Sequence, residues 1–130
     1  MSISAKDREY LMRGLAAWQT DWEIICEFSG QSDSIAWNRV GTLVKLALLR
    51  TREMIRAEEI MGAPSSAKQM TRLRELLGKA EGRRQKGQVL KELRGIGAEQ
   101  KRRLAGLVAE VHNTIVRSVV VPGTRAPQPP

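Results

Sequence analysis

Cysteine and histidine are almost absent from this sequence, with one of each, Cys26 and His112, in 130 residues. A lone cysteine excludes an intramolecular disulfide framework and a cysteine-rich zinc module. A lone histidine excludes a polyhistidine metal site within one chain. Aromatic residues make up only 4% of the chain, and no apolar run approaches the roughly 18–20 residues needed to span a bilayer. The first seven residues, Met1 to Asp7, lack the apolar stretch of a secretory signal. A phosphate-binding loop is missing too, because Gly78-Lys79 and Gly82 have neither a preceding strand nor a Lys-Ser/Thr sequence. These absences point to a cytoplasmic protein with no membrane partner, no cofactor, no metal and no catalytic centre. His112 lies between Val108 and Ile115 near the apolar side of a helix and reads as structural. Cys26, four residues after Trp22, reads as a packing residue with no basic cluster nearby in sequence to activate it.

What is present is charge, unevenly placed. The formal net charge is +8. Residues 1–62 hold eight Lys/Arg and nine Asp/Glu, net −1, whereas residues 63–130 hold fourteen and five, net +9. Within 68–103 alone, twelve basic residues face four acidic ones. A near-neutral, apolar front joined to a cationic rear suggests packing or self-association in the first part and contact with a polyanion in the second. A basic surface also confers solubility, so the charge pattern alone leaves a merely solvated surface open.

The hydrophobic periodicity is helical throughout. Ser4 caps a first helix with Asp7 in its first turn, and Leu11, Leu15, Trp18, Trp22 and Ile25 lie on one face before Ser29-Gly30 ends it. Ser32, Asp33 and Ser34 offer caps for a second helix of about 28 residues, roughly 40 Å long. Its stripe is Trp37, Val40, Val44, Leu48, Thr51 and Ile55, and Gly62 with Pro64 is the stop. Its last turns, with Arg50, Arg52, Glu53, Arg56, Glu58 and Glu59, read as a solvated face. Residues 25–39 have the glycine spacing of a helix-turn-helix, but Gln31 stands where an apolar turn residue is needed, and two long helices explain the same residues.

Pro64 and Ser65-Ser66 open a third helix carrying Met70, Leu73, Leu76 and Leu77, with Ser66 and Gln69 at capping-box spacing. Gly78, Gly82 and Gly87 then fall among Lys79, Arg83, Arg84 and Lys86. Each glycine costs a helix about 1 kcal/mol, so 78–87 reads as a loop or a fraying helix. Val89, Leu90 and Leu93 form a short helix ending at Gly95. Ala98 begins a last helix with Leu104, Leu107, Val108, Val111 and Ile115. The expected architecture is an all-α bundle of four or five helices: a neutral hairpin over 1–62, a basic region over 63–121 and a disordered, proline-rich tail over 122–130. The front stripes exceed what short rear helices can cover, which points to a homodimer.

One segment suggests a specific contact. Leu93, the turn Gly95-Ile96-Gly97 and Leu104 follow the pattern of a short helix, a Gly-hydrophobic-Gly turn and a second helix. This resembles the helix-hairpin-helix motif of non-sequence-specific DNA-binding proteins, over about 16 of 130 residues. The resemblance implies backbone N–H groups of the turn facing a phosphate. Lys101 departs from it, standing where a small residue is usual, and Arg94 stands where proline is common. Independently of the family, paired glycines and a helix N-terminus favour an anion, and Lys101, Arg102 and Arg103 add cations, while Glu99 opposes. The candidate contacts are Arg83, Arg84, Lys86, Arg94, Gly95, Gly97, Lys101, Arg102 and Arg103, and the expected partner is nucleic acid, DNA ahead of RNA. The alternative is a helical adaptor or inhibitor that docks on an acidic protein through the stripes of the first two helices and the basic rear half.

Overall fold

A computed structural model gives the fold, describing residues 3–31 and 34–123, with side chains described as far as residue 115. Among the described residues there are four helices and no strand: α1 (Ala5–Ser29), α2 (Trp37–Met61), α3 (Ala67–Glu81) and α4 (Lys86–Gly123).

The helix ends follow local chemistry. Ser4 caps α1, its hydroxyl accepting from the Asp7 N–H at 3.1 Å. Gly62 ends α2 in the left-handed region at φ 67°, and the Gly62 and Ala63 amides return to the carbonyls of Glu59 and Glu58. The α2 start differs from expectation. Ala36 occupies the cap without a side-chain hydrogen bond. Ile35 is buried beside it, and Ser32 and Asp33 lie outside the described residues. Ser66 precedes α3 but does not form the expected capping box. Its N–H donates to Glu58 Oε1 at 2.7 Å and its hydroxyl donates to Glu58 Oε2. Glu58 is 3% exposed, so the solvated face expected for the end of α2 fails there: this carboxylate holds the start of α3.

The largest difference is in the rear half. Residues 78–87 are not a loop, since α3 continues to Glu81 and only residues 82–85 turn. Gly95 does not end a helix and 95–97 is not a turn, because α4 is one helix of 38 residues. Val89, Leu93, Ile96, Gln100, Leu104, Leu107 and Val111 recur every three or four residues and are all buried. Burial of a side chain of this size is worth roughly 1.5–3 kcal/mol, so the stripe outweighs about 1 kcal/mol for each of two glycines. At its far end α4 reaches Gly123, past the expected tail boundary at 122, and residues 124–130 lie outside the described residues.

At 1.5 Å per residue α4 is about 57 Å long against about 37 Å for α1, long enough to cover it. The most extensive packing is α1 on α4 and α2 on α3, with α1 also on α2. Trp22, Ile25, Val40, Val44, Met54, Leu93 and Ile96 have no exposed surface in a single core. The front stripes are therefore covered by their own chain. A second copy of the chain is not needed to cover them, although Trp37, Leu48 and Ile55 of the second stripe stay partly exposed. Large exposed hydrophobics among the described residues are Met12 and Leu49.

Polar links fix α1 on α2. Arg50 bridges Asp21 and Glu53 at 2.5 and 2.8 Å. Trp18 Nε1 donates to Glu53 Oε1 at 2.6 Å, and the Tyr10 hydroxyl donates to the Glu53 carbonyl at 3.0 Å. Burial, followed by the nearby Glu53 charge, raises the Tyr10 pKa and keeps that donor protonated.

Candidate nucleic-acid interface

The residues proposed from sequence separate into three groups. Arg83 and Arg84 are exposed in the short turn between α3 and α4. The turn closes as a helix C-cap, with the Arg83 and Arg84 amides returning to the carbonyls of Ala80 and Lys79. Such a cap needs one left-handed residue. Gly82 lies one position too early, at φ −80°, and the left-handed role falls on Arg83 at φ 52°. Gln85 is left-handed as well, at φ 54°. Each costs roughly 1–2 kcal/mol relative to glycine. Lys86 follows at the start of α4, its ammonium 5.1 Å from the centre of the Trp37 ring. Arg39 covers Phe28 in the same manner at 5.8 Å.

The second group lies along α4. Arg94, Lys101 and Arg102 are exposed on it, Arg94 running beside Gly30 at the end of α1 and Lys101 near enough to Cys26 to act on its thiol. Sequence reasoning missed Lys91, which is exposed there too. On a helix that stopped at Gly95, Lys91 has no fixed relation to Lys101. On one continuous helix, spacings of three, seven and eight residues align Lys91, Arg94, Lys101 and Arg102 over about 16 Å.

The third group does not join the surface. Gly97 is buried, and a Cβ built there would lie 2.8 Å from Cys26 Sγ, with Ile25 and Trp22 also in contact. Its role is the close approach of α4 to α1, and inside a continuous helix its N–H is not offered to a phosphate. Gly95 is exposed, with open space where a Cβ would stand, but it too is mid-helix. Arg103 is turned sideways, its Nε 3.5 Å from Glu99 Oε2 and its Nη1 donating to the Pro64 carbonyl at 3.3 Å.

Two of the four acidic residues of 68–103 are occupied, while Glu75 and Glu81 are exposed and form no ion pair among the described residues. Glu92 lies 4.0 Å from Lys79, and Glu99 accepts from Gln69 Nε2 at 2.9 Å as well as from Arg103. Arg83, Arg84, Lys91, Arg94, Lys101 and Arg102 make no ion pair among the described residues. A row of exposed cations that outnumbers the free carboxylates near it carries a net positive potential.

Other chemistry is sparse among the described residues. No group of three His, Cys, Asp or Glu is placed to hold a metal ion, and no helix is long and apolar enough to cross a membrane. Burial pushes the Cys26 thiol up, with Lys101 pulling the other way, so it remains a thiol packed against Gly97. His112 is exposed, on the rim of an apolar groove of 270 Å³ with Met12, Leu15, Val108 and Ile115. Comparison of the chain with protein-family models, curated proteins and solved structures finds no match.

Proposed function

We propose that this protein binds the phosphate backbone of nucleic acid with little base readout, DNA being the first ligand to test. The supporting observation is the set of six exposed, ion-pair-free cations along α4 and the turn before it: Arg83, Arg84, Lys91, Arg94, Lys101 and Arg102. Backbone contacts of this kind position a protein without reading sequence. The reading keeps the cationic rear half as the contact region and replaces the glycine turn with an unbroken helical face. A self-association role for residues 1–62 is set aside, because that part contributes its apolar residues to the bundle core.

The test is fluorescence anisotropy of a labelled mixed-sequence DNA duplex across a salt series. Six phosphate contacts imply a loss of affinity on the order of 10³ between 50 and 200 mM salt, with little difference between unrelated sequences. Absence of binding at 50 mM salt, or affinity indifferent to salt, would refute it.

A further inference from the structure

We infer that the polynucleotide is a duplex, held across one groove by α4 with a cation pair on each backbone. This rests on the nucleic-acid reading above and specifies its ligand. The outward cations are not evenly spread. Lys91 and Arg94 form one pair and Lys101 and Arg102 another, while the outward residues between them, Gly95 and Ala98, are exposed, small and neutral. The centres of the two pairs lie nine residues apart, about 13 Å along the axis.

Duplex geometry suits that spacing. The two backbones of a duplex face each other across grooves roughly 6 and 12 Å wide, within reach of long Lys and Arg side chains projecting from points about 13 Å apart. The neutral, small-residue segment then lies over the groove, where no phosphate needs a partner. A single strand along the same helix carries a phosphate at every nucleotide, and those over the gap would meet Gly95 and Ala98.

A second observation points away from the usual single-strand device. Proteins that hold unpaired strands stack the bases on exposed aromatic rings. Here all five aromatic residues are at least partly covered. Trp18 and Trp22 are buried, Lys86 lies over Trp37 and Arg39 over Phe28, and Tyr10 packs on Trp18 with ring centres 5.7 Å apart.

The experiment compares a 16-base-pair mixed-sequence DNA duplex, its two separate strands, and the same duplex with either one strand's phosphates replaced by neutral methylphosphonates. Anisotropy is read from 50 to 200 mM salt. The duplex should bind about tenfold or more tightly than either strand. Neutralising one backbone, whichever it is, should remove about a third or more of the salt slope, since each pair accounts for two of the six phosphates contacted. A strand bound as tightly as the duplex would overturn the duplex assignment and leave the nucleic-acid reading standing. A half-neutral duplex with an unchanged slope would place all contacts on one backbone and overturn the bridging. If neither duplex nor strand binds, the underlying reading fails as well.

Discussion

The two faces of α4 differ in almost every respect although they share one backbone. The inward face places Val89, Leu93, Ile96, Gln100 and Leu104 in the core, with Gly97 pressed against Cys26. The outward face shows Lys91, Arg94, Ala98, Lys101 and Arg102 to solvent. The inward face holds the bundle together, and the outward face is free to carry charge that the fold does not need. Substitutions on one face should therefore change stability, and on the other binding, with little crossover.

The largest effect should come from Gly97→Val. Its Cβ would meet Cys26 Sγ at 2.8 Å, and overpacking of this kind costs about 1–3 kcal/mol. Urea denaturation reads the loss, and Cys26→Ala in the same chain should recover part of it. A stable Gly97→Val protein would mean that α1 and α4 do not pack closely. Next is Glu58→Ala, which strips the Ser66 N–H and hydroxyl of their acceptor. A buried donor left unsatisfied costs about 1–3 kcal/mol, and amide exchange should quicken first at the start of α3.

Gly95→Ala has the opposite sign. The position is exposed, mid-helix and open, so alanine should raise stability by about 1 kcal/mol. Destabilisation would restore a turn at 95–97 and break the distinction between the two glycines. The smallest effect belongs to Arg83→Gly and Gln85→Gly, which relieve left-handed residues but loosen the unfolded chain. Each should stabilise by about 0.5–1 kcal/mol. Only Arg83→Gly should also weaken duplex binding, because Gln85 carries no charge.

The front half was legible because its signals are local. Ser4, the Leu11-to-Ile25 stripe and the glycine at 62 each act within a turn or two of their own position, and the structure keeps them. The rear half was misread at its glycines. Gly95 and Gly97 look alike in sequence, yet one faces solvent and the other faces Cys26, 71 residues earlier in the chain. That contact is tertiary, and no local pattern announces it. Gly82 misleads differently, since the left-handed residue falls one position later, on Arg83. On a helix broken in two, Lys91 has no fixed relation to Lys101, and the first two stripes lack a long partner. Glu58 was missed for a related reason: its acceptor role depends on Ser66, across the α2–α3 connection.

The most direct measurement joins both faces in one protein. Lys91, Arg94, Lys101 and Arg102 are all replaced by alanine, and duplex affinity at 50 mM salt is measured beside the urea midpoint of the same preparation. Affinity should fall on the order of 100-fold or more while the midpoint stays within the small range typical of surface substitutions. Undiminished duplex affinity in this folded variant would contradict the assignment of the outward face of α4 as the binding surface.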